Sequence, residues 1–209
     1  MPESTQSTQQ TILLAGREEF LKHGFEKASL RTIAQNAGVT TGAIYGYYSD
    51  KAALFDALVS DPAETLYADY QKISTEFESL TLDEQNAQLG SMAKQELGPW
   101  IDYIYDSFDA FELIFACSAG TKWANYVDSL IHVEENSSKR FIARLHESGH
   151  HTKELNDHVI HLLAGALFLG LSEMVLHKMT RQEAKSYMET LSEFFTAGWL
   201  ALLEIERPS

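Results

Sequence analysis

The sequence predicts an all-α protein with an N-terminal three-helix helix-turn-helix domain followed by a larger helical part. The 209 residues include only four prolines and no sustained alternation of β-branched residues, which disfavours strands. Two capping boxes, Thr81 with Glu84 and Thr180 with Glu183, each begin an amphipathic stretch. The third observation is the stretch from residue 29 to residue 51, in which two short helices flank a glycine.

The first of these short helices is predicted over residues 30–37. Its apolar residues recur at three- and four-residue spacing, which places them on one face. Ser29 precedes the helix as an N-cap. Gly38 can adopt a positive φ without steric cost, so it can end the helix and turn the chain sharply.

The second short helix is predicted to begin after an N-cap at Thr40 or Thr41, and Ser49 is predicted to cap the next helix. Between Ser29 and Ser49 the only charged side chain is Arg31, although the whole chain has a formal charge of −14. A stretch without carboxylates can approach phosphates, so we expect the second helix to enter the DNA major groove. A half-buried connector would show the same low charge and remains the alternative.

The run LRTIAQNAGVTTGAIYGYYSDKAALFDAL, residues 30–58, resembles the helix-turn-helix of the TetR/AcrR (tetracycline-repressor) family of transcriptional regulators. The resemblance rests on Ile33-Ala34, Ala37-Gly38-Val39, Thr40-Thr41-Gly42, Tyr45, Tyr47-Tyr48 and Asp50-Lys51. It implies a sequence-specific regulator, most often a repressor, that a small-molecule effector releases from a double-stranded DNA operator. The C-terminal part would then be a helical ligand-binding and dimerisation domain.

The motif and the resemblance together predict a set of residues that contact DNA. Many members of the family have a Lys at the position of Thr41 and a His or Arg at that of Gly46, and this chain has neither. We therefore expect a reader of low charge that depends on shape, hydroxyls and thymine methyl groups. The predicted contacts are Ser29, Arg31, Thr32, Thr40, Thr41, Gly42, Ala43, Tyr45, Tyr47 and Lys51.

The domain boundary is predicted near Pro62. The sequence Asp61-Pro62-Ala63-Glu64 is a helix start signal, so the fourth helix either kinks there or ends and restarts. This divides the chain into a DNA-binding domain, residues 1–60, and a regulatory and dimerisation domain, residues 61–209. In the resembled family the fourth helix connects ligand pocket and DNA; a structural corner is the alternative interpretation.

A helix is predicted over residues 8–23, with Gly24 as its end. Six further helices are predicted after the boundary near Pro62, with breaks at Gly98-Pro99, at residues 118–120 and at Ser148-Gly149. The apolar run at residues 162–171 is too short to span a bilayer and predicts a buried helix. The last two helices are apolar enough to form a four-helix homodimer interface. The six segments lie near 62–79, 82–97, 100–117, 122–148, 153–178 and 181–204.

A concentration of aromatic residues predicts an apolar ligand cavity, with ordinary core packing as the alternative. Asp102, Asp106 and Asp109 follow one helix face, either as a solvated face or as a counter-charge for a cationic ligand. The predicted ligand contacts are Trp100, Tyr103, Phe108, Phe111, Phe115, Trp123 and Tyr126.

Neither a metal site nor a catalytic site is predicted. His146, His150, His151, His158 and His161 lack a partner at the spacing of a zinc motif, and no cofactor is expected. The single cysteine, Cys117, and the lack of a secretory leader fit the cytoplasm. No nucleophile or phosphate-loop motif suggests an enzyme.

Two other functions remain open at this point. One is a helical small-molecule or metal-sensing protein in which the DNA motif is secondary. The weaker one is a helical enzyme that uses the aromatic cavity.

Overall fold

The fold is described by a computed structural model over residues 3–89 and 91–205, with side chains described at residues 8–89 and 98–205. These residues form ten α-helices and no strand, which confirms the predicted all-α class. The helices are α1 (Glu3–Lys27), α2 (Leu30–Asn36), α3 (Thr41–Tyr47), α4 (Lys51–Ser79), α5 (Leu82–Gln88), α6 (Ser91–Asp106), α7 (Phe108–Cys117), α8 (Tyr126–Glu147), α9 (Asp157–Leu176) and α10 (Arg181–Leu203).

The chain forms two compact units. The first contains the chain up to Thr65 together with Ser107–Tyr126, and the second contains Leu66–Asp106 and the chain from Val127 onward. This division differs from the single predicted boundary after residue 60. The physical reason is that α7 packs against α1 within the first unit, where Phe111 is fully buried.

The caps of the helix-turn-helix are those expected, with one exception. Ser29 caps α2 and Thr40 caps α3, where the backbone N–H of Ala43 donates to the Thr40 hydroxyl at 3.1 Å. The predicted cap at Ser49 is wrong. Asp50 takes that role, because its carboxylate accepts a hydrogen bond of 2.7 Å from the backbone N–H of Ala53.

The first helix extends beyond its predicted range, from Glu3 to Lys27, and is interrupted at the expected glycine. Gly24 has φ 71° and ψ 164°, which are not helical values. In the core of the first unit the Phe20 and Phe55 rings meet edge to face, with centroids 5.1 Å apart. Fully buried side chains of α1, α2, α3 and α4 surround them, among them Ile12, Ile33, Ile44 and Leu54.

Two predicted interruptions are absent. One helix, α4, runs from Lys51 to Ser79 with Pro62 inside it, so the alternative that it ends and restarts is wrong. Its buried stripe continues across the proline through Val59 and Ala63, and this packing favours a continuous helix. The predicted break at Gly98-Pro99 is also wrong, because α6 continues through it; the chain breaks instead at Ser107, with φ −117° and ψ 33°.

The second unit contains a packed group formed by Phe141, Ile142, Leu145, Ile160 and Leu203. Both predicted capping boxes are present, at Thr81 and Thr180.

Helices α9 and α10 approach closely at Gly170, where an added Cβ would lie 2.3 Å from Cδ2 of Leu191. A glycine is not required in the same way at Gly165, because a Cβ added there would lie 3.6 Å from Ile131, an ordinary contact distance.

Helix α9 is longer than the apolar run predicted for it. Its 20 residues, Asp157–Leu176, are enough by length and composition to cross a bilayer, contrary to the expectation from residues 162–171 alone. Half of the apolar window is buried inside the protein. Its buried residues include Ile160, Phe168 and Met174.

Gly38 should be required for the turn between α2 and α3, since its φ is +67°. We expect Gly38→Ala to lower the free energy of unfolding by about 1–2 kcal/mol, the cost of a left-handed backbone for an L-residue. The control is Gly46→Ala within α3, where an added Cβ meets nothing within 4 Å and alanine should raise stability by about 0.5–1 kcal/mol. Thermal unfolding measures both changes, and an equal effect of the two substitutions would contradict the turn geometry.

Candidate functional site

Helix α3 has one buried side and one exposed side. Ile44 is fully buried and anchors the helix on the core of the first unit, and Tyr48 follows it at the C-cap with 6% exposure. Gly42 and Tyr45 lie on the exposed side, and Tyr45 is 55% exposed although it is a large aromatic residue. The exposed surface of α3 is therefore made of small groups and one aromatic ring, without a charge.

The predicted DNA-contacting residues of α2 lie beside its N-terminus. Arg31 is exposed, and Ser29 and Thr32 are half-buried. The hydroxyl of Ser29 accepts from the backbone N–H of Thr32 at 3.5 Å, a long hydrogen bond. Of these three side chains, Arg31 is the one whose charge is available at the surface.

The remaining predicted contacts differ in exposure. Thr40 is exposed at the N-cap of α3, whereas Thr41 and Ala43 are half-buried. Tyr47 is half-buried, and its ring lies 6.5 Å from that of Tyr48. The part of α3 that a groove would meet first is therefore its N-terminal turn with Tyr45.

Lys51 has a role inside the first unit that its sequence position did not indicate. Its ammonium donates to the backbone carbonyls of Glu26 and Ala28, both at 3.0 Å, and lies 4.7 Å from the centre of the Phe25 ring. These contacts tie the start of α4 to the chain between α1 and α2. The contact of Lys51 with DNA stays a prediction, with one N–H of the ammonium left for it.

Glu19 also contacts the chain between α1 and α2, a role that was not predicted from the sequence. Its side chain is buried, at 6% exposure, and its Oε1 accepts from the backbone N–H of Ser29 at 3.0 Å. The signal was its position on the apolar face of α1, four residues after Ala15 and three after Gly16. A carboxylate on a buried helix face must find a donor, and here the donor is a backbone amide.

A cavity of about 220 Å³ lies within the second unit. Residues from α4, α6, α8, α9 and α10 line it, and most are aromatic or aliphatic. Its apolar lining comprises Tyr70, Ile73, Phe77, Leu89, Trp100, Phe141, Ile142, Leu163, Ala164, Leu167, Phe195, Trp199 and Leu203.

Polar groups of α4, α5, α8 and α10 also line this cavity. The Tyr70 hydroxyl donates to the carboxylate of Glu134, and both residues line the cavity. Ser192 also lines it, is 1% exposed, and its hydroxyl has no hydrogen-bond partner among the described residues. Burial, and then the nearby Glu134 carboxylate, raises the pKa of Tyr70 well above its usual value, so the tyrosine stays a donor at neutral pH.

These polar residues were not predicted from the sequence, although their spacing indicates an inward position. Glu134 lies four residues after Leu130 and seven before Phe141 on the buried face of α8. Ser192 follows Met188 by four residues and precedes Phe195 by three. A polar residue at such a position points toward the interior of a helical unit.

The aromatic residues predicted to contact a ligand are divided between the two units. Trp100 lines the cavity, and Tyr103 of the same helix does not. The other five belong to the first unit, where the Trp123 indole N–H donates to Asp56 at 2.6 Å and the Tyr126 hydroxyl donates to the Ala63 carbonyl at 2.8 Å. Phe108, Phe111, Phe115, Trp123 and Tyr126 thus pack in the first unit, as the core alternative expects.

The three aspartates on one predicted helix face form ion pairs within the protein. Asp102 lies 2.7 Å from the Lys185 ammonium, and Asp106 pairs with Arg181. Hydrogen bonding to Lys185 lowers the pKa of Asp102. Asp109 belongs to the first unit, where it pairs with Arg17. The counter-charge for a ligand therefore does not come from this face.

The histidines and the cysteine have ordinary surroundings. His146 hydrogen-bonds with Thr152 at 2.7 Å, and His161 with Glu135 at 3.1 Å. In the described part of the chain, no group of three or more His, Cys, Asp or Glu side chains is arranged to hold a metal ion. Cys117 is buried, and burial raises the pKa of its thiol, which disfavours a reactive thiolate.

The caps of α2 and α3, the glycine turn and the uncharged exposed side of α3 define a helix-turn-helix of the DNA-binding class. Residues 12–58 match the sequence model of the bacterial regulatory proteins of the tetR family. The transcriptional regulator TtgR of Pseudomonas putida is 41% identical over 63 residues, which cover 30% of this chain and 30% of TtgR. The helix-turn-helix segment therefore matches the TetR family, and the chain spans about a third of the length of the curated relatives it matches.

Two solved structures share the helical architecture along nearly the whole chain. NalD of Pseudomonas aeruginosa, described as the secondary repressor of a multidrug efflux pump, aligns with TM-score 0.58 and 21% identity over 94% of this chain and 97% of NalD. The regulator FadR of Bacillus subtilis, solved with stearoyl-CoA, aligns with TM-score 0.55 and 13% identity over 90% of this chain and 98% of FadR. At these identities the likeness shows the fold alone.

Lys51 should stabilise the first unit. We expect Lys51→Ala to lower the free energy of unfolding by about 1.5–3 kcal/mol, because two backbone carbonyls lose a charged donor. Lys22→Ala removes an equal charge from an exposed position of α1 and should change stability by less than about 0.5 kcal/mol. Urea unfolding compares the stabilities of the two variants. If Lys51→Ala left the stability unchanged and weakened DNA binding, the ammonium would be assigned to DNA contact instead.

Proposed function

We propose that the protein is a transcriptional repressor that binds a double-stranded DNA operator through α2 and α3 and leaves it when a small molecule occupies the cavity of the second unit. The observation that carries this proposal is the family match over residues 12–58, the segment that folds as the helix-turn-helix. Such a protein would act in the cytoplasm, on the chromosome.

The proposed DNA contacts are divided by chemistry. Tyr45 and the N-terminal turn of α3 would read base edges and groove shape, and Arg31 would contact phosphate. Ser29, Thr32, Thr40, Thr41, Gly42, Ala43, Tyr47 and Lys51 complete the proposed surface. The low charge of this surface favours recognition by shape and by thymine methyl groups.

A homodimer through α9 and α10 is the proposed assembly. Leu162, Leu169 and Leu176 recur every seven residues on α9 and are 68%, 57% and 41% exposed, and Phe194 of α10 is 72% exposed. Large apolar side chains in such a row are unfavourable in water and are typical of a surface covered by a partner. A two-fold dimer would present two copies of α3 to half-sites about one DNA turn apart.

Release by a ligand is proposed to depend on differential binding. Helix α4 takes part in both units: Asp56 accepts from Trp123 in the first, and Tyr70 and Phe77 line the cavity in the second. A ligand that binds one arrangement of the cavity wall more tightly would favour the corresponding dimer. The relatives described as an efflux-pump repressor and as a stearoyl-CoA complex support a small-molecule effector.

The proposed function is tested by titrating the purified full chain into fluorescent duplexes from the region upstream of its own gene. We expect binding at least a hundredfold tighter than to a scrambled duplex of the same composition, as for specific regulators. Equal affinity for the two duplexes would refute the proposal and would favour the alternative in which the DNA motif is secondary.

Tyr45→Ala should weaken operator binding about tenfold or more, because an exposed ring on α3 is lost without disturbing the core. Leu14→Ala is the matched control, since Leu14 is 48% exposed in the same unit but lies on α1. Fluorescence anisotropy with the operator duplex and thermal unfolding are measured for both variants. Equal losses of affinity in the two variants would remove Tyr45 from the reading surface.

A further inference from the structure

The cavity of the second unit contains a carboxylate in mostly apolar surroundings. Glu134 lines it together with aromatic and aliphatic side chains such as Trp100, Phe141, Leu163 and Phe195. Glu134 is half-buried, and placing an ionised carboxylate beside apolar side chains is unfavourable unless charge or hydrogen bonds compensate it. The hydrogen-bond partners of Glu134 therefore show whether its negative charge is compensated within the cavity wall.

The partners that the structure gives Glu134 are neutral hydroxyl groups. Tyr70 donates to one carboxylate oxygen, and the Ser138 hydroxyl donates to the other at 3.3 Å. Among the described residues that line the cavity there is no Lys, Arg or His. Two neutral donors leave the negative charge of Glu134 without a counter-ion in the cavity wall.

Ser192 supplies a second polar group without a partner. The residue lines the cavity, its hydroxyl is buried, and no described group hydrogen-bonds to that hydroxyl. A serine in a helix ordinarily satisfies its hydroxyl with the carbonyl four residues earlier. Leaving a buried hydroxyl unpaired is unfavourable, and a polar ligand group that reached this hydroxyl would recover the loss.

We infer that the effector is a compact amphipathic cation, with an aromatic or aliphatic body against the apolar wall and one protonated amine at Glu134. This inference rests on the proposed function, because it names the ligand class of the proposed effector site. Aromatic faces such as that of Trp100 also favour a cation. A fatty acyl carboxylate of similar size would place two negative charges together and would bind less well.

Size and long-range charge agree with this ligand class. The cavity volume of about 220 Å³ lies below the roughly 300–1,000 Å³ typical of drug-sized ligands, which favours a small body. Residues 61–209 contain eleven Lys or Arg and twenty-four Asp or Glu, a net charge of −13. Such a field raises the local concentration of cations and opposes anions.

The test uses three probes with the same body and different head groups: phenylbutylamine, phenylbutanol and phenylbutyrate. Their affinities for the full chain without DNA are measured by isothermal titration calorimetry at neutral pH. We expect the amine to bind at least tenfold more tightly than the alcohol, and the carboxylate to bind most weakly. Binding of phenylbutyrate as tight as that of phenylbutylamine would overturn the inference.

Two variants locate the head group. Glu134→Gln keeps an oxygen that can accept from Tyr70 but removes the charge, and should weaken amine binding at least tenfold with little change for the alcohol. Ser192→Ala should weaken the amine severalfold while leaving thermal stability unchanged or higher. Glu147→Gln, an exposed position of the same helix, removes an equal charge outside the cavity and should leave all three affinities unchanged. Equal weakening in Glu134→Gln and Glu147→Gln would overturn the contact with Glu134.

The operator assay separates this inference from the proposed function. Binding of the amine that depends on Glu134 supports the ligand class even if the chain does not bind its upstream DNA. Release of operator DNA by phenylbutyrate, and not by phenylbutylamine, would support the repressor and overturn the cationic ligand.

Discussion

The connection between α1 and α2 is the constraint on which the helix-turn-helix depends. Two charged residues from different helices fix its backbone: buried Glu19 accepts from the Ser29 amide, and Lys51 donates to the Glu26 and Ala28 carbonyls. Both contacts satisfy backbone groups at helix ends, which would otherwise need water or a cap. The orientation of α2, and through the Gly38 turn that of α3, follows from this arrangement.

Several cations of the first unit are bound within the protein, and this limits the charge available to the proposed DNA-contacting surface. Within the first unit, Arg17 pairs with Asp109, Lys122 pairs with Asp56 at 2.8 Å, and Lys51 is bound to carbonyls. Arg17 and Lys122 are thus engaged in ion pairs, whereas Lys51 keeps one N–H for a phosphate. Recognition by the uncharged side of α3, as proposed, would then depend on fit in the groove and on a few contacts at its edges.

The sequence was sufficient for the local structure and insufficient for the packing. Caps at Ser29, Thr40, Thr81 and Thr180 depend on residues three or four positions apart, so they could be predicted and are confirmed. The proline signals at Pro62 and Pro99 were misleading, because α4 and α6 continue through them. At Pro62 the buried stripe through Val59 and Ala63 outweighs one missing hydrogen bond.

The membership of each unit could not be predicted, because it is set by contacts between residues far apart in the chain. Five of the seven aromatic residues assigned to a ligand cavity pack instead in the first unit. Glu134 and Ser192 were missed because a search for aromatic concentration does not detect polar residues on an apolar helix face. Periodicity would have detected them.

The salt dependence of operator binding distinguishes recognition by shape from recognition by charge. In the first unit Lys22, Lys27 and Arg31 are exposed and make no ion pair among the described residues, and Lys51 keeps one N–H for a phosphate. The proposed dimer would then neutralise at most about eight phosphates, and a plot of log affinity against log salt concentration should have a slope no steeper than about −7. A slope of about −11 would show that Arg17 and Lys122 leave their ion pairs to contact DNA, and would contradict the proposed reading surface of low charge.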